Sequence, residues 1–295
     1  MSILNNIYSE ALFFLSYLFV KNPIHKLIYL NKAININPQK IKFYIARAEL
    51  NSKLSKNQDA INDLKFVIKN DKNNINSLIE YASLNSEIEN FNEAINTYSQ
   101  LIEIYQKNNL DEFNFHRLIM TYLGRSYCYY FKKQYDDSQK DLKNAIELIE
   151  KYKGKMLKQV IVLEPLVYKI SAKCNIITRN FIEAEKNLIA FKNVANSNEL
   201  IYIEYLYGKI LLLKGKYDIA LEHFNKAISL CFNDCEFNYD LACLYSLKND
   251  KNNALKYLKE AFILYPKYLK DVNNDKNFDN IKESHDFISL IQKYI

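Results

Sequence analysis

The sequence predicts an all-α chain of stacked helical hairpins, a solenoid with no single centre, and three observations carry that prediction. Glycine and proline number only four each in 295 residues. β-Hairpins, Gly-rich phosphate loops and strand-dense folds draw on more of both, so helices joined by short polar turns remain. Small residues recur on a 34-residue stride, with 13 of the 17 alanines at positions 8, 20 or 27 of a frame of that length. Random placement would put about one or two there. An aromatic residue stands at position 17 of four frames (Phe91, Tyr135, Phe181, Tyr217), a slot that the alanines did not select.

The stretch "YGKILLLKGKYDIALEHFNKAISL", residues 207–230, displays the unit. In the frame 201–234, Gly208 takes position 8, Ala220 position 20, Phe224 position 24 and Ala227 position 27. The next frame, 235–268, places Ala242, Ala254, Leu258 and Ala261 in the same slots and Pro266 at position 32. Frames at 41–74, 75–108, 119–152 and 165–198 carry Ala48, Ala82, Ser126 and Ala172 at position 8, then Ala60, Ala94, Ser138 and Ala184 at position 20. A weaker copy at 7–40 keeps Leu30, Ala33 and Pro38 but has Phe14 and Lys26 in the small-residue slots.

Small side chains on both helices of a unit let the backbones approach and pack antiparallel. Positions 24 and 27, one turn apart, are predicted to face the next unit as a large knob beside a small hole. Gly215 and Asn249 turn the corner near position 15, because both tolerate left-handed backbone. Pro38 and Pro266 end second helices by forcing the preceding residue out of the α region, and Pro165 suits a helix start. The predicted organisation is a degenerate repeat at 1–40, two repeats at 41–108, a longer irregular repeat at 109–164, three repeats at 165–268 and a cap at 269–295. In the irregular part, "NLDEFNFHRL" (109–118) and "KGKMLKQVIVLE" (153–164) read as lengthened helices.

Bulk properties narrow the function. Apolar content of 49% and charge of 25% belong to a folded protein. The net charge of +6 comes from lysines interleaved with Asp and Glu along the chain, a solvated helical surface rather than a nucleic-acid footprint. Five widely spread cysteines fit a reducing cytoplasm better than a disulfide framework. The run "ALFFLSYLFV" (11–20) has no basic n-region and cannot span a bilayer, so it reads as a buried helix rather than an anchor.

At this spacing, Gly208, Leu211, Ala220, Phe224 and Ala227, followed by Ala242, Tyr245, Ala254, Leu258, Ala261 and Pro266, resemble the tetratricopeptide repeat family. The tryptophan usual near position 4 is absent, with Tyr44, Tyr122 and Tyr168 there in three units. The resemblance implies a right-handed superhelix of about seven helix pairs. "DKNFDNIKESHDFISLIQKYI" resembles the tail that closes such arrays, with Phe278, Ile281, Phe287 and Leu290 covering the last face and Ser284 capping the final helix.

No H-E-x-x-H, G-x-x-x-x-G-K-[ST], G-x-S-x-G or G-x-G-x-x-G occurs, so no enzyme or cofactor is expected. Cys231, Cys235 and Cys243 with nearby His223 match no usual zinc spacing. The family implies a scaffold that binds a partner protein or peptide on the surface formed by first helices. Its chaperone-binding class needs a carboxylate clamp, but here Lys169 is followed by Lys173, Leu206, Glu236 and Asp240, which disfavours one. The groove positions do gather Tyr127, Tyr130, Lys169, Lys173, Tyr202, Tyr205 and Lys209, suited to an acidic or carboxylate-bearing extended peptide. Nucleic-acid binding through Lys and Tyr, and membrane attachment through residues 1–20, are the rival readings.

Overall fold

The computed structural model describes residues 3–18, 22–107, 112–152, 163–230, 233–270 and 272–294. Among them are seven helix pairs: α1 (Ile3–Leu18) with α2 (Pro23–Ile36), α3 (Ile41–Lys53) with α4 (Asn57–Asn70), α5 (Ile75–Glu87) with α6 (Phe91–Lys107), and α7 (Glu112–Phe131) with α8 (Tyr135–Tyr152). They continue with α9 (Glu164–Ile177) and α10 (Phe181–Val194), α11 (Leu200–Leu213) and α12 (Tyr217–Ser229), and α13 (Cys235–Leu247) and α14 (Lys251–Leu264). No strand is present among the described residues. The chain divides into two compact units, Met1–Leu163 and Glu164–Ile295.

The small-residue slots are the tightest places in each hairpin. Ala48, Ala82, Ser126, Ala172 and Ala242 at position 8, and Ala60, Ala94, Ser138, Ala184, Ala220 and Ala254 at position 20, are all wholly buried. Gly208 explains itself by what a methyl group would meet: Phe224 Cδ1 and Cε1 lie 2.4 Å from the place of its Cβ, and the Ala220 carbonyl oxygen 3.3 Å away. Phe224 therefore fills its own hairpin as well as facing the next unit, where it meets Phe237 edge-on at 5.5 Å.

The corners are more uniform than the sequence suggests. Ser55, Glu89, Lys133, Arg179, Gly215 and Asn249 occupy position 15 of their frames, and all have positive φ, between 56° and 73°. In each, the next residue's N–H donates to the carbonyl at position 11, at 2.8–2.9 Å, closing the left-handed helix stop. Five of the six corners thus hold a side chain where glycine is cheapest.

A second pairing, at positions 7 and 23, had no sequence signal. Arg47 grips Asp63 with two bonds of 2.9 and 2.7 Å, and Arg125 grips Asp141 with two of 2.7 Å. The same slots hold Ser171 with Asn187 (2.9 Å) and Tyr207 beside His223 (ring centroids 6.0 Å apart). Each ties the first helix of a hairpin to its second.

α6, α7 and α8 run 17, 20 and 18 residues against 13 for α3 and α5, and α7 takes in 112–118 of the first irregular segment, whose residues 109–111 lie outside the described ones. The 153–162 part of the second irregular segment lies outside the described residues. Pro38 and Pro266 follow the ends of α2 and α14, and Pro165 is the second residue of α9. After α14 come three short 3-10 turns and α15 (His285–Tyr294). Phe278, Ile281, Phe287 and Ile291 bury against Leu258 and Phe262, Leu290 packs partly buried, and Ser284 Oγ accepts from Phe287 N at 3.4 Å.

The expectation of a buried α1 is overturned. Its buried side is Ser9, Leu12 and Ser16, and Phe14 is 59% exposed instead of filling a hairpin slot. A helix apolar on nearly every side gives no sequence cue to which face turns inward. Here the serines do so because small residues permit the closest approach to α2.

Candidate functional site

In the second unit α9, α11 and α13, the first helices of three successive hairpins, stand side by side. Lys173 on α9 reaches past α11 to Glu236 on α13, Nζ to Oε2 2.5 Å. On a flat layer the axes of α9 and α13 would be two spacings, about 16–20 Å, apart. The bridge closes because the face curves inward around α11.

Lys209 on α11 completes the network, 2.6 Å from Glu236 and 2.9 Å from Asp240. The Tyr205 hydroxyl donates to Asp240 at 2.8 Å. Asp234 caps α13, accepting from the N–H groups of Glu236 and Phe237, and so fixes the turn that carries Glu236. Tyr239 donates to Asp275 at 2.9 Å and stacks on Tyr268, centroids 4.5 Å apart, which joins this face to the capping turns.

The charges sort unequally. Burial works against the Glu236 carboxylate, but Lys209 and Lys173 outweigh it and hold Glu236 well below the usual range. Burial raises Asp240, and with Glu236 beside it adding repulsion it outweighs what Lys209 and the Tyr205 hydroxyl offer. Burial and then Asp240 push the Tyr205 hydroxyl far up, so it stays a donor.

Lys169, one turn before Lys173, differs. Its ammonium sits 4.2 Å above the Tyr202 ring. Burial and the neighbouring Lys173 charge lower its pKa, and no carboxylate pairs with it among the described residues. A partly desolvated cation on an aromatic platform is arranged to accept an anion.

Of the seven groove residues named from sequence, five thus stand on α9 and α11. Tyr127 and Tyr130 belong to the first unit, where both rings pack on Phe131 at 4.5 and 5.5 Å. Sequence reasoning placed Glu236 and Asp240 in the groove only as misfits to a clamp. Their opposite charge one repeat on from Lys209 was the available signal that Lys209 is neutralised from within, whereas the pairing of Lys173 across two repeats left none.

Cys128, Cys174 and Cys243 are buried and Cys235 is half-buried, and none of the four is in a disulfide with a described residue. Cys231 of the proposed cysteine grouping lies outside the described residues. Among the described residues no cluster of His, Cys, Asp and Glu could hold a metal ion, and no helix is long and apolar enough to cross a membrane.

Antiparallel hairpins with small residues at fixed slots, stacked so that first helices form a shared face, define a helical-repeat protein. Residues 205–234 and 236–268 match the family model described as Tetratricopeptide repeat. The match covers two of the seven hairpins, α11–α12 and α13–α14, and these two are tetratricopeptide repeats. No curated protein matches its sequence. A solved tetratricopeptide repeat protein from Parabacteroides merdae ATCC 43184 aligns over 98% of this chain and 99% of its own, with TM-score 0.66 and 15% identity. A chain of the APC/C hetero-tetramer Cut9–Hcn1 aligns over 98% of this chain and 49% of its own, with TM-score 0.57 and 14% identity. The apo form of RapI aligns over 91% and 100%, with TM-score 0.57 and 14% identity. At such identities these likenesses establish the fold.

Proposed function

We propose that the chain is a non-enzymatic scaffold that holds an acidic, extended segment of a partner protein against α9, α11 and α13. One observation carries this reading: Lys169 presents a partly buried ammonium on Tyr202, without a carboxylate partner among the described residues, beside two lysines already neutralised. A carboxylate arriving at Lys169 gains a charge-assisted bond in a partly desolvated place. Tyr202, on α11, is the aromatic platform beneath it. Lys173 and Lys209 act chiefly by holding the face in shape. The paired state of these two lysines disfavours a nucleic-acid backbone, which needs many free cations. The fold of Cut9–Hcn1, solved as a hetero-tetramer, is consistent with a scaffold role.

The test is fluorescence anisotropy with three labelled extended peptides of equal length, acidic, neutral and basic. The acidic one should bind best, and Lys169→Ala should weaken it by about 10-fold, ~1.4 kcal/mol. Equal binding of all three peptides, or an acidic peptide indifferent to Lys169→Ala, would refute the reading.

A further inference from the structure

α1 carries its apolar side chains on the outside. Ile3, Leu4, Ile7, Tyr8, Phe14 and Leu18 are between 57% and 81% exposed, while the helix buries two serines and one leucine. Exposed residues Leu4, Tyr8, Ala11, Leu15 and Leu18 follow the 4-3-4-3 spacing of a seam between two helices. Joined by Ile7 and Phe14, they form a face symmetric about Ala11, as any helix face is about its central residue. Leu4 mirrors Leu18, Ile7 mirrors Leu15 and Tyr8 mirrors Phe14, each pair equidistant from that alanine.

Mirror spacing is what a two-fold contact between identical antiparallel helices requires, since each residue must then meet its opposite number on the other copy. We propose that α1 is a homodimerisation helix. It pairs antiparallel with α1 of a second copy across an axis at Ala11, where the small side chain lets the helices come closest.

The exposed area is sufficient. On the face centred on Ala11, the exposed fractions of Leu4, Ile7, Tyr8, Phe14, Leu15 and Leu18 leave on the order of 600 Å² per copy to bury, the lower end of stable interfaces. Charge does not oppose it. Between Ile3 and Leu18 the sole charged residue is Glu10, and Lys40 and Lys42 hold it at 3.3 and 2.5 Å. The absence of Lys and Arg from α1 also favours a protein surface over a membrane, because helices that lie on bilayers are basic on their polar face.

Sedimentation equilibrium of the full chain at micromolar concentration tests this. The expected mass is twice the 34.9 kDa of one chain. Ala11 meets its own copy at the axis, so Ala11→Glu and Ala11→Lys should each give monomers that keep the wild-type far-UV circular dichroism at about 20 °C, with a melting temperature that no longer depends on protein concentration. Mixing the two should restore a dimer containing one of each. A monomeric wild type would overturn the proposal, as would a dimer indifferent to both charges or variants that fail to recombine. Co-sedimentation with phosphatidylcholine vesicles by a monomeric wild type would instead assign the face to lipid.

Discussion

Gly208→Ala puts the close packing of a hairpin to a quantitative test. In an exposed helix the change would stabilise by ~1 kcal/mol through helix propensity. Here the added methyl group would stand 2.4 Å from two ring carbons of Phe224, and the ring cannot slide away cheaply. Phe224 is wholly buried, with Tyr205 at 6.2 Å and Phe237 at 5.5 Å between centroids. Overpacking of this kind costs about 1–3 kcal/mol, so the net loss is about 0–2 kcal/mol after the propensity gain. Urea unfolding followed by far-UV circular dichroism reads it as a lower midpoint at unchanged slope. Phe224→Leu removes the clashing ring edge, so the double variant should lose at least ~1 kcal/mol less than the sum of the singles. A more stable Gly208→Ala, or strict additivity with Phe224→Leu, would show that propensity and not ring packing sets residue 208.

Two further outcomes are expected. Lys133→Gly and Arg179→Gly, at exposed corners with φ of 61° and 60°, should each stabilise by about 0.5–1 kcal/mol in the same urea assay. Asn249→Gly, where asparagine already tolerates the conformation, should change little, and equal effects at all three would refute the strain account. Glu236→Gln leaves Lys173 and Lys209 with reduced compensation and should destabilise by about 2–3 kcal/mol near neutral pH, somewhat under a fully buried pair because both lysines keep some solvent. Glu236 is held below its unfolded value, so its contribution is complete above the ordinary carboxylate range and fades as pH falls through its native pKa. Melting temperatures of wild type and Glu236→Gln should therefore converge in strong acid, and a gap that does not depend on pH would contradict the network.

What the sequence made legible was whatever depends on side-chain size. Alanine at positions 8, 20 and 27 marks where backbones touch, and no rotation of the helix can hide it. Corner positions were only half legible: Gly215 and Asn249 announced left-handed backbone, whereas Ser55, Glu89, Lys133 and Arg179 adopt it because the packed hairpin on either side requires it. The Arg47–Asp63 and Arg125–Asp141 pairs were invisible, since a surface-type residue reveals a partner only when the rotation of both helices is known. The same limit concealed the pairing of Lys173 and Lys209, two members of the groove cluster. In α1 the apolar residues outnumber what one face can bury, so composition signalled hydrophobicity without its direction.

The reach of Lys173 across α11 has a mechanical consequence. An array of nested hairpins ordinarily breathes one hairpin at a time, beginning at its ends. With a tether from the hairpin before to the hairpin after, the α11–α12 pair cannot swing out without parting two opposite charges and uncovering Phe224. Three hairpins therefore open as one cooperative block, and the guest proposed above would meet a stiff surface rather than a loose chain of joints.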